Sequence, residues 1–370
     1  MTRKRKILFW AIFLGINLTI LEGLSFVVLK RFGTLAYNPN SIQQSVDSYL
    51  KRRDPVLGWN KSVDKRNNSR PGVNEASYQD GLIDLYGDSF TRGDEVEDHE
   101  AWSYLSSHNL GVNIVNQGVG GYGSDQAFLK FQTNPNPAKI VVLNHCSENI
   151  IRNVNQFRAF IYPSSEISLK PRFIIQDDRL ELVELPVINS NTLSDIITPP
   201  HPLLKHEYFK PLGPSGLQIM HFPFTLKLVS AGINHWKTTQ RLGTSSAYQP
   251  FYRKEHPSQG YQVTKQILAE FHRLALEREC LLVVTIVPPY RDFQFFDQHG
   301  EFPYAELLSD LATEGVAVVD FGAELRSLYD GDMIDLYLHP GGHMNPKGHH
   351  YLATAFSGHL QSTFPQMFGQ

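Results

Sequence analysis

Short apolar runs alternate with segments of helical period from about residue 81 onward. The runs fall at 82–85, 112–115, 140–143, 281–287 and 316–319, and each ends on a polar or turn residue. Short, mostly apolar runs of this kind, separated by helix-length stretches, mark strands covered on both faces. Between the third and fourth runs Val263, Ile267, Phe271 and Leu274 recur three or four apart, so one helical face is apolar until Arg278 closes it. The alternation predicts an α/β fold, a doubly wound and mainly parallel sheet of about five strands with helices on both sides. In such a sheet ligands bind at the carboxyl ends of the strands.

Two stretches break the alternation. Residues 7–29 are apolar almost without interruption, with Arg3, Lys4, Arg5 and Lys6 before them and Lys30 and Arg31 after. A helix of that length reaches about 35 Å and a bilayer core is about 30 Å thick. The run is long for a signal-peptide core and no small-x-small site follows it, so it reads as an uncleaved signal anchor, the membrane contact of the chain. The excess of basic residues ahead of it places the N-terminus in the cytoplasm and the rest outside, in the periplasm or another extracytoplasmic space. Glu22 lies within the span, where a carboxylate costs about 2.5–3.5 kcal/mol at the centre and less toward an interface. It sits near the outer headgroups, is protonated, or has a partner in the membrane.

The second departure is a loop-rich insertion at about 151–258, rich in Pro, aromatic and His residues. Within it 172–176 and 180–185 read as a hairpin around Asp177-Asp178, and the whole reads as a cap beside the site. The predicted organisation is therefore a cytoplasmic tip and anchor at 1–33, a stalk and docking segment at 34–80, and a domain at 81–362 carrying the insertion. Trp59 is the expected docking anchor of the stalk, which also holds Asp54-Pro55 and the polar run 65–72.

Composition narrows the classes. An apolar share of 41% supports a real core, and a net charge of −3 with no basic face gives no reason to expect nucleic acid. Two cysteines, Cys146 and Cys280, exclude a disulfide-rich scaffold and a Cys-only zinc site. Each is expected to pack as a small hydrophobe, with a single bridge left open.

The chemistry-bearing residues follow the runs. Tyr86-Gly87-Asp88-Ser89-Phe90-Thr91 closes the first, and a serine on a tight turn at a strand end presents its hydroxyl to a cleft. After the second, Gly118, Gly120, Gly121 and Gly123 let the backbone approach a ligand and offer N–H donors, without the GxGxxG spacing of a dinucleotide site. After the third comes Asn144-His145-Cys146-Ser147-Glu148-Asn149, whose Asn149 amide is a candidate oxyanion donor. Near the C-terminus His343 precedes Asn345-Pro346, a helix-start signal, so the imidazole sits on a loop positioned by that helix. The nearby His339, His349 and His350 match no metal-ligand spacing, and neither metal nor cofactor is implied.

In this order, Gly87-Asp88-Ser89, Asn116-x-Gly118, Asn149 and Gly342-His343-x-Asn345-Pro346 resemble the four blocks of the SGNH (GDSL-type) hydrolases, over roughly residues 54–360. The resemblance implies a flavodoxin-like three-layer fold, Ser89 as nucleophile and His343 as its general base. It also implies an oxyanion hole made by the backbone N–H groups of Ser89 and Gly118 and the Asn149 side chain. Two positions depart from the family. The acid that usually stands two or three residues before the histidine is replaced by Pro340 and Gly341, and Ile150 stands where Asp commonly follows the block asparagine. Asp335 is the expected substitute acid, with Asp332, His339 or a backbone carbonyl as alternatives. The resulting expectation is a membrane-anchored envelope serine esterase acting on acyl esters, O-acetyl groups of a carbohydrate above all. An O-acyltransferase using the same serine and a catalytically silent glycan-binding or assembly protein are the rival readings. The insertion carries aromatics able to stack on sugar rings, Phe157, Phe160, Tyr162, Phe173, Tyr208, Phe222 and Trp236, most of which are expected to be core.

Overall fold

A computed structural model describes residues 2–32, 36–38, 46–59, 81–162, 167–189, 201–242 and 248–368. The polar run 65–72 lies outside the described residues. The chain forms two compact units, one of residues 1–49, 157–168 and 187–243, the other of 50–156, 169–186 and 244–370. The segment expected as one insertion at about 151–258 thus divides between them, and 50–59, expected in the stalk, belong with the sheet.

The second unit is built on a five-stranded sheet, all of whose pairings are parallel. Its strands are β1 (Ile83–Gly87), β2 (Ile114–Asn116), β3 (Ile140–Cys146), β4 (Leu281–Val287) and β5 (Ala317–Asp320). Their spatial order, β2-β1-β3-β4-β5, is that of a flavodoxin-like doubly wound sheet. Ile83 pairs with Ile114 on one side and Ile140 on the other, and β3 is buried along its whole length, as its apolar pattern requires. β3 runs past residue 143 because Asn144 and His145 are buried with their own partners, a reason invisible to hydropathy. The Asn144 Oδ1 accepts from Thr285 Oγ1 at 2.7 Å and its Nδ2 donates to Thr91 Oγ1 at 2.9 Å.

Helices flank this sheet. Ser124–Thr133 and Gly260–Glu277 meet through Phe131 and Phe271, whose rings stack with centroids 4.4 Å apart, with Tyr86 of β1 against both. Arg278, at the end of the predicted amphipathic pattern, donates to the carbonyls of Phe131, Gln132 and Asn134 and so closes the neighbouring helix. A second aromatic group joins Trp102 to Phe321 and Phe356, on the helices Trp102–Leu110, Phe321–Leu328 and Pro346–Thr363. The hairpin forms as Arg172–Gln176 and Arg179–Val183, and Asp177 and Asp178 both take positive φ, as a two-residue hairpin turn demands.

Residues 50–59 are fastened by backbone rather than by side-chain burial alone. Trp59 is buried, its N–H donates to Leu169 O at 2.9 Å, and Gln126 Nε2 donates to Leu57 O at 2.7 Å. Gly58 has φ +82°, and a Cβ there would fall 2.2 Å from Leu169 O. Beneath this contact Lys170 and Asp125 form an ion pair with both side chains fully buried. Removing one partner of such a pair leaves a charge stranded in a low-dielectric core. Lys170→Ala is therefore expected to lower the unfolding free energy of this unit by about 3–5 kcal/mol, whereas Lys170→Met combined with Asp125→Leu recovers most of the loss. Denaturant titration of the two variants checks both statements.

Candidate active site

The turn after β1 is shaped by what surrounds it. A Cβ on Gly87 would lie 2.6 Å from Asn144 O, so only glycine lets β1 and β3 approach there. Asp88 caps the short helix Ser89–Arg92, its Oδ1 accepting Phe90 N–H at 2.9 Å. Ser89 is the first helical residue, so its own N–H has no intrahelical acceptor and is available to a ligand. Gly93 ends the helix in the left-handed region, and the N–H groups of Gly93 and Asp94 both return to Ser89 O. Glu95 follows with φ +71°, a conformation that costs a non-glycine residue about 1–3 kcal/mol and is typical of functional loops.

This turn carries Glu95 to the histidine. His343 Nε2 lies 2.8 Å from Ser89 Oγ, and His343 Nδ1 lies 3.0 Å from Glu95 Oε2. Hydroxyl, imidazole and carboxylate stand in series, an array of the serine-hydrolase type. With Glu95 accepting from Nδ1–H, the unprotonated Nε2 faces the serine hydroxyl, the tautomer a general base requires. The Phe90 ring packs against the imidazole with centroids 5.0 Å apart.

The loop bearing His343 is itself constrained. Tyr337 and Met344 form a β-bridge, Leu338 N–H donates to His343 O at 3.0 Å, and Tyr337 Oη donates to Pro288 O at 2.5 Å. Asn345 caps the helix Pro346–Thr363 through Gly348 N–H at 3.1 Å, and its Nδ2 donates back to Asp335 O and Tyr337 O. A side chain at Gly348 would meet Leu336 O at 2.3 Å.

Asp335 does not reach the histidine. Its Oδ2 accepts from Tyr329 Oη at 2.8 Å, and that hydroxyl also accepts from Lys347 Nζ at 2.7 Å. Asp332 is occupied in capping Ile334 N–H, and His339 Nδ1 accepts from Gly341 N–H. The carboxylate that stands against His343 is instead Glu95, 248 positions earlier in the chain. In sequence, the acidic pair Asp94-Glu95 directly follows Gly93, which ends the Ser89–Arg92 turn.

Gly118 follows β2 and is pressed against the Ser89–Arg92 helix. A Cβ there would lie 2.6 Å from Arg92 N and 2.9 Å from Thr91 Cβ. Its N–H donates to Asn116 Oδ1 at 3.0 Å, while Asn116 Nδ2 donates to Thr91 O and Ser103 Oγ. Asn149 opens the helix Asn149–Arg152 after β3 and is buried, yet neither atom of its side-chain amide makes a hydrogen bond among the described residues. An unsatisfied buried amide costs about 1–3 kcal/mol, which a ligand oxygen would recover.

Buried charges hold these pieces together. Asp88 Oδ2 pairs with Arg152 Nη1 at 3.1 Å, and the same guanidinium donates to Tyr122 O and reaches Glu148 Oε1. Burial pushes the Asp88 carboxyl above its ordinary range and Arg152 opposes the rise. The Ser147-Glu148 turn leading to Asn149 is fixed from behind. Ser147 Oγ bonds to Asp292, Tyr252 Oη donates to Ser147 O at 2.7 Å, and Ser147 N–H donates to Val287 O at 3.2 Å. His145 lies between Ser124 Oγ at 2.6 Å and Tyr252 Oη at 3.0 Å, and burial holds its pKa down at about 3, so it stays neutral. Cys146 and Cys280 are both free and buried. Of the insertion aromatics, Phe157, Phe160 and Phe173 are buried in the core, as expected for most of them.

No family model matches the chain, and no curated protein matches it. Among solved structures it is similar to a member of the lipolytic protein G-D-S-L family from Veillonella parvula, at 12% identity over 77% of this chain and 98% of that one, with a TM-score of 0.38. It is also similar to an alpha/beta hydrolase enzyme from the metagenome of Lake Arreo (14%, 75% and 95%, TM-score 0.39) and to a GDSL-like lipase from Bacteroides thetaiotaomicron (11%, 76% and 88%, TM-score 0.35).

The Asp292 carboxyl is fully buried, and burial raises its pKa to about 7 despite hydrogen bonds from Ser147, Tyr248 and Gln249. In the unfolded chain the same group titrates near 4. Between these values the folded state holds the extra proton, so the contribution of Asp292 to stability is full below about pH 4 and is lost as pH rises toward 7. Asp292→Asn, which mimics the protonated form, is expected to flatten the fall in melting temperature over that window. Thermal unfolding at closely spaced pH values reads the slope in both proteins.

Proposed function

We propose that the chain is a serine esterase of the cell envelope, cleaving acyl esters through an acyl-serine intermediate. The observation that carries this reading is the series Ser89 Oγ, His343 Nε2, His343 Nδ1, Glu95 Oε2 at 2.8 and 3.0 Å. Ser89 Oγ attacks the ester carbonyl carbon while His343 takes its proton. Glu95 holds the imidazole in the required tautomer and stabilises the imidazolium that forms. The developing oxyanion is met by Ser89 N–H and by the Asn149 amide, which has no other partner among the described residues. Gly118 N–H is a third donor, shared with Asn116 Oδ1. When the tetrahedral species collapses, His343 returns the proton to the departing alcohol. Water then attacks the acyl-serine by the same route, with His343 again as base.

Among the described residues one helix, Arg3–Arg31, is long and apolar enough to cross a membrane. Read as an anchor with the basic N-terminus in the cytoplasm, it leaves the site outside, where acetylated carbohydrate of the envelope is the proposed substrate. A carboxylate at Nδ1 favours catalysis over the silent, glycan-binding reading. Transfer of the acyl group to a carbohydrate hydroxyl shares every step up to the acyl-serine, and no distance in the site favours it over hydrolysis.

Acetate release from an aryl acetate and from acetylated polysaccharide tests the proposal. Ser89→Ala and His343→Ala are expected to abolish turnover, and Asn149→Ala to lower kcat about 10²–10³-fold. Loss of a fully buried triad acid costs about 10⁴ in rate. Glu95 is half exposed, so Glu95→Gln is expected to lose less than that, with KM unchanged, while Asp335→Asn keeps full turnover. Equal release by wild type and Ser89→Ala would overturn the assignment.

A further inference from the structure

The helix Phe224–Leu242 belongs to the same compact unit as Arg3–Arg31 and carries two apolar faces. On one, Phe224 and Leu228 pack on the core of Leu29, Ala36 and Met220, and Phe26 meets Phe224 with ring centroids 5.1 Å apart. On the other, Leu226, Val229 and Ile233 recur at i, i+3 and i+7 with 63%, 53% and 47% of their surface exposed. Phe222, just ahead of the helix, is 70% exposed, and Trp236 continues the stripe. A soluble helix has no reason to present such a stripe to water.

The N-terminus of this helix is capped from the apolar one. Glu22 accepts Phe224 N–H at 2.6 Å and Thr225 N–H at 3.2 Å, and Ser25 Oγ lies 3.1 Å from Thr225 Oγ1. Two costs are offset together. The helix start loses its unpaired N–H groups, and the carboxylate gains donors and the positive end of a helix dipole. Counting a span of about 20 residues from Ile7 puts the outer edge of the hydrocarbon near Phe26. Glu22 then lies about 6 Å inside that edge, within the 5–10 Å to which interfacial helices bury their apolar faces.

We propose that Phe224–Leu242 lies in the outer interface of the membrane that Arg3–Arg31 crosses, with Leu226, Val229 and Ile233 on the acyl chains and Glu22 as the joint between the two helices. The bilayer is the occupant because the stripe begins where an already lipid-facing surface ends. The side chains of Leu18, Ile20, Leu21 and Leu24 are exposed along Arg3–Arg31 up to the Glu22 contact. This rests on Arg3–Arg31 being a membrane span, and the test separates the two statements.

The full chain is reconstituted in phosphatidylcholine–phosphatidylglycerol vesicles, with a nitroxide on Leu226→Cys, Val229→Cys or Ile233→Cys. Leu14→Cys reports on the middle of the span, and Glu181→Cys, on the hairpin, reports on water. Power saturation compares collisions with oxygen, which concentrates in lipid, and with a water-soluble nickel chelate. The expected result is an oxygen-to-nickel ratio at 226, 229 and 233 several-fold above that at 181 and approaching that at 14. If 14 is lipidic and the three sites match 181, the interfacial helix is wrong and the span stands. If 14 also matches 181, the span and the proposal fall together. Low collision with both reagents at the three sites would instead mean protein covers the stripe, and would overturn the proposal.

Discussion

The site depends on one buried ion pair. Asp88 is fully enclosed, and its two oxygens are divided between Phe90 N–H, near the start of the Ser89–Arg92 helix, and Arg152, three residues beyond Asn149. One carboxylate therefore fixes the serine turn relative to the turn that presents the candidate oxyanion amide. A charge held at that depth is tolerable only because the guanidinium and a backbone donor answer it together. In the Gly87-Asp88-Ser89 block, the aspartate serves to lock the two strand ends.

Around this lock the site is assembled from strand termini, as the doubly wound topology dictates. β1, β2 and β3 lie side by side, so the residues after them converge although they are scattered over 60 positions of chain. Glycines stand where backbones touch: Gly87 against Asn144, Gly118 against Arg92. His343 reaches the same place from the far end of the chain, on a loop pinned by Asn345 and the Tyr337–Met344 bridge. Behind the Asn149 turn, Asp292, Tyr248, Tyr252 and His145 form a buried polar support. Such networks are rigid when every member is paired, and that leaves the unpaired Asn149 amide conspicuous.

A functional reading follows from this contrast. The groups that position the site are mostly hydrogen-bonded, whereas among the described residues the Asn149 amide has no hydrogen-bond partner. Glu95, in a costly left-handed conformation, completes the series. Its exposure means that the imidazole's partner is held by backbone geometry and not by enclosure.

The sequence by itself determined the strand runs, the parallel α/β class, the helix start at Asn345-Pro346, and the three strand-end positions with which His343 converges. All are set by local periodicity, turn chemistry and chain order. Strand ends were legible only to within a few residues, because Asn144 and His145 are polar positions buried by partners far along the chain. Tertiary structure alone decided the acid. Whether Asp335 or Glu95 faces His343 depends on a positive φ at Glu95 and on Tyr329 and Lys347 claiming Asp335, and neither leaves a periodic trace. It also decided the partner of Glu22, whose donors lie some 200 residues away, a distance that no sequence spacing encodes.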